Sequence, residues 1–439
     1  MAKPKTPLPI ITLTLDKIVG GGQTMGTQND GINDGRKVFV WGGLPGETVQ
    51  VQLTKKKSKM AEGIVVAVEK ASAIRVEPKD PDSYLSTSPW QIMAPADEQH
   101  YKAALIEEAF ELHDIVLPDA ITVYTDEKAY EYRNKIEFSW WWDKERETLD
   151  LAFFRRGTHG KIAVDGTSLA KPIINEKAHL VRELLRTKGT KGLDLKTLLI
   201  RTDANDNVAM QLYVKNKDAV DLTQDEVESL GVQGFEVIYS NPKSPASVIT
   251  ERLKEWGNTS LTDTILDVPF TYAVEGFFQI NLPVYEEALR DIKKWVDVKK
   301  PLVDLYSGVG TIGLTVTDAD VTLVELNENA VREMKRNIES LGRTETAHAV
   351  LAASENAVEY ITSDAAIIVD PPRAGLTQPV IDRLLEQKPE RIIYLSCNPV
   401  TQARDVAALA EIYGIEWHRG YNFFPGTPHI EHLLILKKK

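Results

Sequence analysis

The chain of 439 residues contains one cysteine, Cys397. A single thiol excludes an internal disulfide, a four-cysteine zinc site and an iron–sulfur cluster held by the chain's own cysteines. It also fits a reducing compartment, so a cytoplasmic location is expected. An apolar run of about 18 residues is missing too, and no membrane span is expected. The opening MAKPKTPLPI lacks the apolar core of a secretory signal. Positive charge is also in deficit: 52 Lys and Arg stand against 64 Asp and Glu, a net charge of -12. Averaged over the chain, that argues against a generic nucleic-acid binder. Internal repeats and low-complexity segments are absent, and no stable protein partner is expected.

The average conceals an asymmetry. Residues 1–75 hold eleven Lys and Arg against six Asp and Glu, so the remainder carries a net -17. At about 150 residues per domain the chain divides into two or three domains. Residues 8–72 read as short strands between glycine turns: ITLTLDKIV, RKVFVW, ETVQVQLTKKK and EGIVVAVEK. That spacing predicts a small β-barrel. Lys55, Lys56, Lys57 and Lys59 cluster at one hairpin tip, either as a solvated turn or as a basic contact surface. Residues 73–285 read as a mixed α+β block, opened by a Pro, Asp and Ser-rich connector to about residue 97 and a helix around EEAFELHDIV. Residues 172–187 read as a second helix. The run Trp140–Trp142 can stack bases, or place most of its rings in a sheet core and one outside.

Residues 286–439 alternate strand and helix. PLVDLY, VTLVEL, AHAVLAA, DAAIIVD, ERIIYLS and EHLLILKK are the strands. Continuous apolar strands between helices predict an α/β, doubly wound parallel sheet. Its first strand runs into Gly308, Gly310 and Gly313, a G-x-G-x-x-G loop. Such glycines let a ligand approach the backbone, which suggests a nucleoside cofactor rather than a purely structural turn. Glu325 ends the second strand, where a carboxylate can accept ribose hydroxyls. NAD and S-adenosylmethionine both remain open on the loop alone. Asp304 before the glycines, and Asp370-Pro371-Pro372-Arg373 after a later strand, favour the cationic S-adenosylmethionine.

Cys397 ends a further strand, in Tyr394-Leu395-Ser396-Cys397-Asn398-Pro399, just before a helix predicted from Pro399. A thiol at a helix N-terminus is expected to have a lowered pKa and raised nucleophilicity. The alternative is a small buried apolar residue. Glu431 opens the last strand and is either solvated or turned to the same crevice. His429, Glu431 and His432 do not suggest a metal site, because adjacent strand positions face opposite ways.

Together these segments resemble the RNA 5-methyluridine methyltransferase family. The match runs through FFQIN (277–281), DLYSGVGTIGL (304–314), VTLVEL (321–326), DPPRAGL (370–376), YLSCNPVTQARD (394–405) and FFPGTPHIE (423–431). The resemblance implies a class I S-adenosylmethionine methyltransferase sheet, an OB-like RNA-binding barrel of the TRAM type at the N-terminal end, and methylation of uridine C5. It implies Cys397 as the nucleophile that adds to C6 and Glu431 as the base that removes the C5 proton. It also places Gln279, Tyr306, Thr311, Glu325 and Asp370 at the S-adenosylmethionine site. RNA is the implied partner, with Lys55, Lys56, Lys57 and Arg133 as candidate contacts. Where many relatives carry cluster-binding cysteines, this chain has LSTSPWQ (85–91) and Ser168, so no iron–sulfur cluster is expected. An acidic residue often found after the third strand is replaced by Ala353. Large-subunit (23S) rRNA is the first expected target and the tRNA T-loop the second. A non-catalytic RNA-binding or assembly factor, or an NAD-linked oxidoreductase resting on the glycine loop, would be the readings if this chemistry were absent.

Overall fold

The computed structural model describes residues 8–29, 31, 33–158 and 160–439. Among the described residues, strands Ile10–Ile18, Thr24–Gln28, Arg36–Trp41, Thr48–Lys56 and Met60–Lys70 close into a barrel. Arg36–Trp41 and Met60–Lys70 pair in parallel and the other neighbours pair antiparallel. Alternation places Val49, Val51 and Leu53 inside; beyond the register shift after Leu53 the strand leaves the barrel core, and Lys55 and Lys56 are both exposed. The strand Thr24–Gln28 is not apparent in the sequence, because TMGTQ has little apolar alternation. The turn before it has positive φ at Gly21 and Gly22. At Gly22 a side chain is excluded: a Cβ would stand 2.0 Å from Pro428 Cβ, where the barrel meets a loop of the C-terminal sheet.

A second sheet, seven-stranded among the described residues, forms around Lys135–Asp143, Leu195–Thr202 and Val208–Val214. Helix Pro172–Thr187 matches its sequence expectation and buries Ile174, Ala178, Val181 and Leu185 on one stripe against this sheet. Trp140 is buried, Trp142 is partly so and Trp141 is exposed, so the tryptophan run is sheet core plus one outward ring. Arg201 is fully buried; its guanidinium donates to the carbonyls of Gly276 and Phe278, both at 2.7 Å. This pins the segment that carries Gln279.

The third sheet has eight strands among the described residues. Ala347–Leu351, Val321–Glu325, Leu302–Leu305, Ala366–Val369 and Arg391–Ser396 lie side by side in parallel. The far edge departs from a wholly parallel sheet. The closing strand Glu431–Lys438 runs antiparallel to Arg391–Ser396 and to Tyr413–Tyr421. That last strand, YGIEWHRGY, has a mixed polar pattern and is not apparent in the sequence. Val123–Tyr124 adds an eighth strand beside it. This strand and helix Pro95–Glu111, which the sequence reading gave to the middle block, therefore lie on the C-terminal sheet. The helix packs on Pro399–Leu409, with Ile106, Ala109 and Phe110 in the core that holds Val303 and Leu305.

That helix also clamps the loop that leads to Glu431. Glu98 accepts from the Gly426 N–H at 2.9 Å and from Asn422 Nδ2 at 3.0 Å. Lys102, fully buried, pairs with Glu98 at 2.9 Å and donates to Asn422 Oδ1 and the Phe424 carbonyl. A buried charge with one partner removed typically costs about 3–5 kcal/mol. Glu98→Gln should therefore lower unfolding stability by about that amount in urea titration. A loss below about 1 kcal/mol would show that Lys102 does not depend on this carboxylate.

Candidate functional site

The site lies at the C-terminal ends of the parallel strands, where ligands of such sheets bind. Strand Leu302–Leu305 ends in a bend with φ +64 at Tyr306, +56 at Gly308 and +87 at Gly310. Asp304 is buried beneath it, and its Oδ2 accepts the Gly313 N–H at 2.9 Å. Burial pushes Asp304 up to about 8, and its Oδ1 has no partner. A Cβ at Gly313 would lie 2.5 Å from Leu323 Cδ2, so this glycine sets the close packing of helix on strand. Glu325 closes the loop from the next strand: its carboxylate accepts from the N–H groups of Gly308 at 3.0 Å and Asn327 at 2.7 Å.

A cavity of about 940 Å³ opens beside this loop. All seven sequence candidates with cofactor or catalytic roles line it: Gln279, Tyr306, Thr311, Glu325, Asp370, Cys397 and Glu431. Thr311 is fixed by a 2.8 Å hydrogen bond to Tyr285. Asp370 follows strand Ala366–Val369, and the Pro371–Pro372 pair stiffens the turn after it. Cys397 follows strand Arg391–Ser396, and Asn398 caps helix Pro399–Leu409. Asn398 Nδ2 and Thr401 Oγ1 both donate to the Arg373 carbonyl, at 2.8 and 3.2 Å, which ties the Asp370 turn to the Cys397 turn. Glu431 is buried at the start of the closing strand.

The electrostatics correct one expectation. The thiol of Cys397 is not lowered but pushed up to about 12, by burial first and then by Glu431 and Asp370. Placement before a helix does not outweigh removal from water beside two carboxyl groups. Burial likewise raises Asp370 to about 7 and holds Glu431 well above the ordinary carboxylate range. Arg373 opposes the shifts of both Cys397 and Glu431. Its Nη2 donates to His429 Nδ1 at 2.6 Å, and among the described residues it forms no ion pair. Burial thus raises the proton affinities of Asp370, Cys397 and Glu431 together, with one cation beside them.

Other candidates lie apart. Lys55, Lys56 and Lys57 are exposed on the barrel hairpin outside this cavity, with Lys55 paired to Glu62 at 2.9 Å. Arg133 bonds Tyr132 Oη at 3.2 Å and does not line the cavity. Ser168 N–H and Oγ both donate to Asp80. Glu431 and His432 face opposite ways: His432 is fully buried against Gln402 and His418. Among the described residues no group of three His, Cys, Asp or Glu is placed to hold a metal. Residues that sequence reasoning left without a role include Arg373, Glu333 and Phe277, the last lining the cavity while 75% exposed. Phe277 opens the FFQIN segment, but nothing in that segment says that this ring stays exposed at the cavity mouth.

Comparison with known proteins places this geometry. A family model for tRNA (uracil-5-)-methyltransferase matches residues 99–439, and one for the TRAM domain matches residues 23–66. The chain is 30% identical to an uncharacterized RNA methyltransferase of Lactobacillus johnsonii, over 92% of this chain and 94% of that protein. It is 26% identical to one of Nitratidesulfovibrio vulgaris, over 98% and 96%. A solved structure with the same fold is the Pyrococcus abyssi tRNA (uracil-54, C5)-methyltransferase in complex with S-adenosyl-L-homocysteine. Its TM-score is 0.78 at 21% identity, covering 97% of this chain and 100% of that one.

The raised acids make a stability prediction. Asp370 binds its proton more tightly folded than unfolded. Its contribution is therefore complete below the unfolded pKa of about 4 and is lost as pH rises through about 7. Asp370→Asn, which cannot ionise, should gain in melting temperature relative to the unaltered protein as pH rises from about 4 to about 7, and level off above that. A difference independent of pH would contradict the burial of this carboxyl.

Proposed function

The chain belongs to the tRNA (uracil-5-)-methyltransferase family and is an RNA uracil-C5 methyltransferase, and we propose that it works by covalent attack of Cys397 on the target base, with S-adenosylmethionine as methyl donor. The observation that carries this reading is the convergence of Cys397, Glu431 and Asp370 on the cavity beside the glycine loop.

The cavity suits this cofactor. Glu325 is fixed where ribose hydroxyls can be accepted, and the glycine loop leaves room for the nucleoside against Val309 and Ile312. At 353–355 the wall offers Ser354 and Glu355 beside Ala353. Glu333 Oε2 is buried without a partner. Glu325, Glu333, Asp370 and Glu431 line the wall; a cationic sulfonium bound there would favour their ionised forms, whereas the pyrophosphate of NAD would oppose them. Gln279, Tyr306, Thr311, Glu325 and Asp370 would hold the cofactor, which supplies an electrophilic methyl group.

Uracil C5 is a weak nucleophile. Addition of the Cys397 thiolate to C6 moves an electron pair through C5 to O4, so that C5 can form a bond to carbon. Because the thiol rests protonated, a neighbouring carboxylate must take its proton, and Arg373 lowers the cost of the thiolate. After the C5–methyl bond forms, Glu431 removes the C5 proton. The electron pair then restores the C5–C6 double bond and expels the thiolate. The high proton affinity of Glu431 suits a group that must accept a proton from carbon. The base must leave its stack to enter this cavity.

The reading extends to two targets. Large-subunit rRNA is supported by the barrel, and the tRNA T-loop by the likeness to the Pyrococcus abyssi tRNA (uracil-54, C5)-methyltransferase. That likeness spans 97% of this chain, so the barrel alone does not decide between them. Mapping 5-methyluridine in the RNA of a deletion strain tests the assignment: loss at one rRNA or one tRNA uridine names the target. Loss at none removes the reading.

Two substitutions test the mechanism. Cys397→Ala should abolish methyl transfer while S-adenosylmethionine still binds in calorimetry; retained turnover would refute the covalent step. Glu431→Gln should slow turnover by about 10²- to 10⁴-fold and accumulate RNA bound to protein on a denaturing gel. Slow turnover without that adduct would assign the proton to another base.

A further inference from the structure

A second cavity, of about 410 Å³, opens on the other side of Cys397 and shares Cys397, Arg373 and His429 with the first. Its walls come from all parts of the chain. Gly20 and Trp41 come from the barrel, Pro89 from the connector, Arg156 from the middle block, and Asn398 and Pro428 from the C-terminal sheet. The guanidinium of Arg156 lies over the Trp41 ring at 4.1 Å from its centroid. Its Nε donates to the Leu85 carbonyl and its backbone N–H to Ser86 Oγ, which fixes the side chain at its base. Among the described residues Arg156 forms no ion pair, although it is half-buried. Arg373, at the junction of the two cavities, forms none either. An acidic protein thus keeps two arginines without carboxylate partners facing one cavity, in contrast to Arg75, Arg182, Arg252 and Arg419, which all meet carboxylates.

This inference rests on the uridine methyltransferase reading. If a uridine enters the first cavity to meet Cys397, its phosphodiester chain must continue past Arg373. The second cavity is the adjoining space, and its volume lies within the range of about 300–1,000 Å³ that holds small organic ligands. Two guanidinium groups without carboxylate partners suit the phosphate, and a fixed Arg–Trp pair offers a stacking surface for a base. We propose that the second cavity is a subsite for the nucleotide next to the target uridine, whose base packs on the Arg156–Trp41 pair and whose phosphate lies between Arg156 and Arg373. Stacking accepts any base, so the subsite measures the presence of an unstacked neighbour rather than its identity. The domains that form it must be docked for it to exist, which couples barrel placement to substrate selection.

The test is a cycle between protein and RNA. The substrate is a synthetic hairpin around the mapped uridine, intact or with the nucleotide on its 5′ or 3′ side made abasic. With the unaltered enzyme, one of the two abasic hairpins should raise KM by about 10-fold. Trp41→Ala should raise KM similarly on the intact hairpin, yet show no further loss on that abasic one. Trp41→Phe should retain most of the affinity. Should Trp41→Ala fail to bind S-adenosylmethionine in calorimetry, it has lost its fold, and the comparison of hairpins with the unaltered enzyme decides alone. The proposal is overturned if both abasic hairpins are methylated within twofold of the intact one, or if the Trp41→Ala loss is equal on intact and abasic RNA, which would make the Arg–Trp pair a domain brace. Absence of methyl transfer to any hairpin by the unaltered enzyme would instead remove the reading beneath the proposal.

Discussion

Removal of acids from water is the constraint around which this molecule is organised. Asp304, Asp370, Cys397 and Glu431 are all driven toward their protonated forms by burial at one end of one sheet. In water the same groups would ionise independently and cost nothing to hold apart. In the crevice each ionisation raises the cost of the next, and Arg373 is the cation set against two of them. The proposed reaction, which makes a thiolate and later gives a proton to a carboxylate, would draw on this coupling. The proton affinities of thiol and carboxyl are set by the same low-dielectric surroundings and respond to the same bound charge.

Contacts between remote segments hold the walls of this crevice in place. The Glu98–Lys102 pair grips the loop before Glu431 from a helix more than 300 residues away in sequence. Arg201 does the same for the Gln279 segment through two carbonyls. Asn398 and Thr401 bind the Asp370 turn to the Cys397 turn. Gly22 brings the barrel against Pro428. Each is a polar or close-packed contact between segments remote in sequence, the kind of support that keeps a site in register. Buried ion pairs of this type contribute little to stability when intact and are costly to break, so their service is to geometry.

Much of this architecture is legible from period and punctuation. Helix Pro172–Thr187 and the parallel strands announce themselves because a buried stripe or a doubly covered strand imposes a composition on its own segment. Thr24–Gln28 and Tyr413–Tyr421 do not, since their pairing is set by neighbours and their residues are mixed. Helix Pro95–Glu111 is legible as an element but not in its allegiance, and the two-residue strand Val123–Tyr124 is too short to leave a pattern. Nothing in a local window says that a helix near residue 100 will pack on one near residue 400.

The chain's chemistry was decided locally. A lone cysteine in SCNP, the DPPR turn, the glycine loop and FPGTPHIE each place candidate site residues on a turn whose shape its own residues dictate. Their convergence on one cavity, the rise of the Cys397 thiol where a fall was expected, and the second cavity between Trp41 and Arg156 were settled only in three dimensions. The reason is physical. Bond geometry and turn preference act over a few residues, whereas desolvation and charge coupling depend on which distant segments exclude water together.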